Sequence, residues 1–208
     1  MPTPEFWIVA GPNGAGKTTL VQAEPIRTIL PHVTFLNPDD VAKQHLAALG
    51  VRSFSDAPEA TLQEAFVVAA DDVFARLNRV LEAGGATGVE TVLSSDKYKP
   101  VVEVVRDRAG FLGLIYVWLE SPELACARVA RRMSRGGHDV RREKIISRWH
   151  RSLDNLPWFL KRVSRFWIYD NSNSDPEVPP KLVAVGGDGQ LEFLSSVVPA
   201  AIERVLRS

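Results

Sequence analysis

A chain of 208 residues with 45% apolar and 24% charged side chains can enclose one substantial α/β core, and this composition excludes a disordered or fibrous protein. Its formal net charge is zero, so no global field draws it to nucleic acid or to an anionic membrane. The single cysteine, Cys126, leaves no internal disulfide; no signal-peptide pattern opens the chain, and the longest apolar run, Gly110 to Leu119, is only strand-sized. A cytoplasmic protein with no membrane span is therefore expected, organised as a single domain over residues 1–208.

The apolar run Phe6 to Ala10 predicts the first strand. Gly11-Pro12-Asn13-Gly14-Ala15-Gly16-Lys17-Thr18, followed by Thr19, completes a G-x-x-x-x-G-K-[ST] loop directly after it. A glycine-rich turn aims successive backbone N–H groups at phosphates, and the helix that follows, from Lys17 to Glu24, adds its positive dipole end. Lys17 would reach the β and γ phosphates of ATP and Thr18 would offer its hydroxyl to Mg²⁺. A merely structural turn needs neither residue at those offsets.

A second strand is expected over Val33 to Leu36, and a helix from Asp40 to Leu49 after Asn37-Pro38-Asp39-Asp40. Ligands of doubly wound sheets lie beyond the carboxyl ends of the strands, so Asp39 is placed to act as a general base. Helix capping is the competing role, since one of the two Asp residues is expected to cap. A long helix runs from Pro58 to Ala83, with Gly84-Gly85 as its stop signal. The third strand, Gly88 to Leu93, carries Glu90 and Thr91 at the same rim, where they bind a polar substrate or form a solvated strand end.

A helix over Lys99 to Ala109 precedes the fourth strand, Phe111 to Leu119, whose unbroken apolar run places it inside the sheet. Ser121-Pro122 then opens a helix to about Met133. From Arg128 to Arg151 there are nine Lys or Arg residues against only Asp139 and Glu143. Residues from about 128 to 150 read as a helical lid broken at Arg135-Gly136-Gly137-His138-Asp139, with Arg135 and Arg148 reaching the transferring phosphoryl group. The competing readings are a solvated basic face, to which Arg131, Arg132, Arg141, Arg142 and Arg151 contribute, and a nucleic-acid groove, which zero net charge and a lack of local aromatics oppose. A fifth strand over Phe166 to Tyr169, a terminal hairpin and a last helix complete an α/β fold: a P-loop NTPase, a three-layer sandwich with a mostly parallel central sheet and helices on both faces.

The ordered set G-P-N-G-A-G-K-T-T, N-P-D-D, V-E-T-V-L-S-S, and R-x6-R-G-G-H-D-V followed by S-R-W-H-R-S-L-D-N-L resembles the zeta-toxin-like small kinases over roughly Phe6 to Asp170. The resemblance implies an ATP-dependent kinase that phosphorylates the amino sugar of UDP-N-acetylglucosamine at its 3′-hydroxyl, with an antitoxin protein as partner and no nucleic acid. It implies Lys17 and Thr18 on ATP and Mg²⁺, Asp39 as base, Arg135 and Arg148 on the phosphates, and Glu90 with Thr91 toward the acceptor. Asn37 departs from the Asp usual in those toxins, and a further helix Glu has only Asp71 and Asp72 nearby. Another kinase, acting on an antibiotic, nucleoside or sugar, and a nonenzymatic nucleotide-binding module are the remaining readings. A transporter ATPase would need L-S-G-G-Q, and a guanine-specific switch N-K-x-D; the chain has neither.

Overall fold

In a computed structural model the described residues are 3–24, 26–133, 140–173, 175, 178–187, 190–194 and 198–207. The glycine-broken segment 134–139, with Arg135, His138 and Asp139, lies outside them. One seven-stranded sheet runs through the described residues in the order β2-β3-β1-β4-β5-β6-β7. Its strands are β1 (Glu5–Ala10), β2 (Thr34–Leu36), β3 (Ala86–Thr91), β4 (Phe111–Trp118), β5 (Arg165–Asp170), β6 (Lys181–Gly187) and β7 (Gln190–Phe193). The first five are mutually parallel; β6 pairs antiparallel with β5, and β7 antiparallel with β6. Parallel strands need long crossovers, and the helices supply them. These are α1 (Lys17–Gln22), α2 (Ile26–Ile29), α3 (Pro38–Ala48), α4 (Glu59–Glu82), α5 (Lys99–Asp107), α6 (Pro122–Met133), α7 (Arg142–Leu160) and α8 (Ala200–Leu206).

The predicted mostly parallel α/β fold is the one observed, and β4 stands at its centre with every residue after Phe111 buried. Its continuous apolar run reflects cover on both faces. Gly113 is required there: a Cβ would lie 2.3 Å from the Trp7 ring, which stacks on Trp167 at 5.4 Å. Strand β3 stops at Thr91 rather than Leu93, because Leu93 takes a left-handed φ of 61° while buried. Helix α7 runs through Pro157 to Leu160, anchored on β4 by a buried hydrogen bond between Ser152 and Tyr116 hydroxyls (2.9 Å).

Because β1, β3 and β4 are parallel neighbours, their C-terminal ends share one rim, and the loop after β1 opens there. That rim carries the candidate site.

Candidate active site at the phosphate-binding loop

The loop from Gly11 to Lys17 is shaped by glycines that have no substitute. Gly11 (φ 144°) passes so close to β4 that a Cβ would lie 2.3 Å from the Val117 carbonyl oxygen. Gly16 (φ 87°) is the left-handed residue from which α1 springs. Lys17 folds back over the loop and donates to the carbonyls of Gly11 (2.9 Å) and Pro12 (3.0 Å). The residue is half-buried by area, yet protein atoms crowd its ammonium, and this desolvation pushes its pKa down to about 8 against the opposing pull of Glu90 and Asp39. Asn13 Oδ1 is buried without a hydrogen-bond partner, an expense that a ligand or a closing donor would remove.

The carboxylates come from the neighbouring strands. Asn37 caps α3, its side-chain oxygen accepting from the Asp39 backbone N–H at 2.9 Å. The expectation that Asp39 or Asp40 serves as the cap is thus corrected, because Pro38 occupies the first helical position and the chain turns one residue earlier. Both carboxylates sit in the first turn of α3, and Asp39 is left free to face the cleft. From the end of β3, Glu90, only 8% exposed, accepts a hydrogen bond from Thr18 Oγ1 at 2.7 Å. Burial raises its carboxyl above the usual range; the Thr18 hydrogen bond and Lys17 oppose this, and Asp40 and Asp39 add to it. Glu90 therefore lies beside the Thr18 hydroxyl, where α1 begins. Thr91 Oγ1 accepts from the Leu93 N–H (3.1 Å), holding the turn after β3, and Asn155 of α7 donates to the Leu93 carbonyl (3.0 Å).

Lys17, Thr18, Asp39, Glu90 and Thr91 border one cleft of about 440 Å³, which also takes Arg128, Arg132 and Arg148 from α6 and α7. Arg148 is electrostatically coupled to Asp39 and to Lys17, and Arg132 to Lys17. Burial pulls the Arg148 pKa below its ordinary value while Asp39 resists, and an arginine still stays charged. Among the described residues no group of three or more His, Cys, Asp or Glu side chains could hold a metal ion. A Mg²⁺ brought by a nucleotide needs no such cage, since it keeps waters and phosphate oxygens as ligands. The Thr18 hydroxyl, with Glu90 accepting its hydrogen bond, fits that requirement.

Residues 6–156 match a family model described as an AAA domain. The chain belongs to this AAA-domain family. No curated protein matches it in sequence. Among solved structures, one from the PezAT chromosomal toxin–antitoxin system of Streptococcus pneumoniae superposes with a TM-score of 0.64 at 17% identity, covering 81% of this chain and 69% of that one. AvrRxo1-ORF1:-ORF2 with ATP gives 0.66 at 14% identity, covering 99% and 63%. A candidate kinase from Chloroflexus aurantiacus gives 0.53 at 21% identity, covering 67% and 72%. The AAA-domain chain thus spans less than two thirds of the AvrRxo1 chain, and identities this low establish a shared fold.

The AAA domain brings Lys17, Thr18, Asp39, Glu90, Thr91 and Arg148 to one cleft, whereas Arg135 lies outside the described residues. Arg132, which the sequence left among solvated arginines, borders the cleft as well. Sequence reading missed three contributors. Asn171, just past β5, donates to the Ala15 carbonyl at 2.8 Å and so clamps the phosphate-binding loop; Arg128 donates to the Asn173 carbonyl at 2.6 Å. In sequence, Asn-Ser-Asn after a strand carries only a turn signal. Lys97, between β3 and α5, also borders the cleft.

Proposed function

We propose that this AAA domain is an ATP-dependent kinase of the zeta-toxin type, transferring the γ-phosphoryl group to a sugar hydroxyl of a UDP-N-acetylglucosamine-like acceptor. The observation that carries this reading is the release of Asp39 from capping duty: Asn37 caps α3 and Asp39 faces the phosphate-binding loop within electrostatic reach of Lys17 and Arg148. In the reaction the acceptor hydroxyl oxygen bonds to the γ phosphorus, the bond to the β–γ bridging oxygen breaks, and ADP departs with that electron pair. The hydroxyl proton passes to the Asp39 carboxylate. Lys17 and Arg148 neutralise charge on the transferring group, and Arg135 joins them by its match to the family motif. Thr18 would hold Mg²⁺, and the ion would there supply positive charge against the phosphates.

The antitoxin-type partner, the single-domain organisation and the cytoplasmic setting rest on the same resemblance and on the sequence. The neighbours described with protein partners support the first, and the absence of any membrane-length apolar helix among the described residues is compatible with the last.

The test is turnover with ATP, Mg²⁺ and UDP-N-acetylglucosamine, with the product located by mass spectrometry. Asp39→Asn should lower kcat on the order of 10²-fold or more with ATP affinity little changed. Unchanged turnover in Asp39→Asn would remove the base assignment. Absence of transfer to this acceptor, with transfer to another hydroxyl compound, would move the acceptor and leave the kinase intact.

A further inference from the structure

The cleft has a second positive pole, set apart from the phosphate-binding loop. Lys97 stands in the turn between β3 and α5, and its ammonium donates to the Ala70 carbonyl of α4 at 3.3 Å. It also lies over the rings of Phe74 (5.9 Å) and Tyr98 (5.6 Å). The side chain is half-buried, and burial holds its pKa below the ordinary lysine value. The nearest acid in the turn is engaged elsewhere: Asp96 pairs with Lys99 at 2.7 Å. Asp71 acts on Lys97 electrostatically but makes no ion pair with it, and Lys97 forms none among the described residues.

An ammonium carries three donors. One is spent on Ala70, and the group borders a cleft that also exposes Ser94 and Ser95. Removing a cation from water without a counter-charge is costly, and two ring faces recover only part of that cost. The cations that act on Lys17 are Arg132 and Arg148. Lys97 is not among them.

We propose that Lys97 is a specificity-determining residue of the acceptor site, which binds a phosphate group carried by the acceptor and so selects phosphorylated over neutral hydroxyl compounds. The proposal rests on the kinase reading for the word acceptor, but not for the binding itself. Lys binds phosphate as a point charge, and the Ser94 and Ser95 hydroxyls supply short donors beside it.

The test uses the full chain with its loop filled by a nonhydrolysable ATP analogue and Mg²⁺, titrated with inorganic phosphate. Lys97→Met keeps the apolar stem against Phe74 and Tyr98 while removing the charge; Lys97→Arg keeps the charge. Phosphate binding should weaken about tenfold or more in Lys97→Met and persist in Lys97→Arg, with affinity for the ATP analogue unchanged in both. Equal phosphate binding by wild type and Lys97→Met, or none by wild type, overturns the proposal. A purely structural Lys97 would lower Tm in Lys97→Met and leave phosphate binding alone. In a second arm, N-acetylglucosamine 1-phosphate and N-acetylglucosamine are compared as acceptors. Lys97→Met should raise KM for the first about tenfold, leave KM for ATP unchanged and erase the preference between the two. If wild type phosphorylates neither compound, the acceptor reading fails, while the phosphate titration still decides Lys97.

Discussion

Single side chains set the chemistry of the cleft through burial and charge. Lys17 loses its proton near pH 8 in the nucleotide-free protein, because desolvation outweighs the attraction of Glu90 and Asp39. The unfolded chain keeps that proton to higher pH, so between about pH 8 and the ordinary lysine value the unfolded state binds more protons and Lys17 makes stability rise with pH. Phosphates reverse the balance by favouring the ammonium. Binding of ATP at pH 8 to 8.5 should therefore take up protons, measurable by calorimetry in buffers of different ionisation enthalpy, and the uptake should fade at pH 6.5 and vanish in Lys17→Ala. Uptake that persists in Lys17→Ala would assign the proton to another group. Arg148 acts at the same scale. Its Ala variant should depress kcat more than it weakens acceptor binding, and Lys should not restore the rate, since a point charge lacks the planar fork of a guanidinium.

At the scale of elements, the site depends on where helices begin and strands end. Helix α3 starts at Pro38 because Asn37 supplies the cap, and that places Asp39 in the first turn, facing the cleft. Asn37→Ala should cost about 1 kcal/mol of stability, as loss of a cap does. On the proposed mechanism it should also lower kcat with ATP affinity nearly unchanged, because Asp39 loses its support. Asn37→Asp should preserve both, since Asp caps as well as Asn. Denaturant unfolding and turnover on the two variants check this; an Asn37→Ala that loses stability but keeps full kcat would uncouple the cap from Asp39. Strand β3 ends at Thr91 in a comparable way. The left-handed Leu93 redirects the chain, held by Thr91 and Asn155, and brings the turn that carries Ser94, Ser95 and Lys97 to the cleft.

At the scale of the whole molecule, a chain with zero net charge concentrates cations at one rim. Lys17, Lys97, Arg128, Arg132 and Arg148 border the cleft against Asp39 and Glu90. This local field favours a polyanion over nonspecific attachment to nucleic acid. Saturating ATP with Mg²⁺ should raise Tm by an amount that grows with the logarithm of nucleotide concentration, whereas single-stranded RNA should give no shift at physiological salt. A steeply salt-dependent RNA affinity would instead restore the nucleic-acid reading.

The phosphate-binding loop, the central β4 and the mostly parallel sheet were legible in the sequence, because each rests on a local signal. Those signals are glycines at fixed offsets before Lys17, an unbroken apolar run, and alternating strand and helix patterns. Lys17 and Thr18 were nameable from the loop motif, Asp39 and Glu90 from standing at or just beyond strand ends, and Arg148 from a basic stretch. Tertiary structure alone decided what these residues face. Asn37 could be told from Asp39 as the cap only once the turn before α3 was closed, and Glu90 found Thr18 only because β3 and β1 are neighbours. Asn171 met Ala15 across 156 positions of sequence, and Lys97 met Ala70 and Phe74 across a helix packed beside its turn. Periodicity reports the face a side chain takes on its own element; pairing across the sheet, which no local pattern encodes, determines its partner.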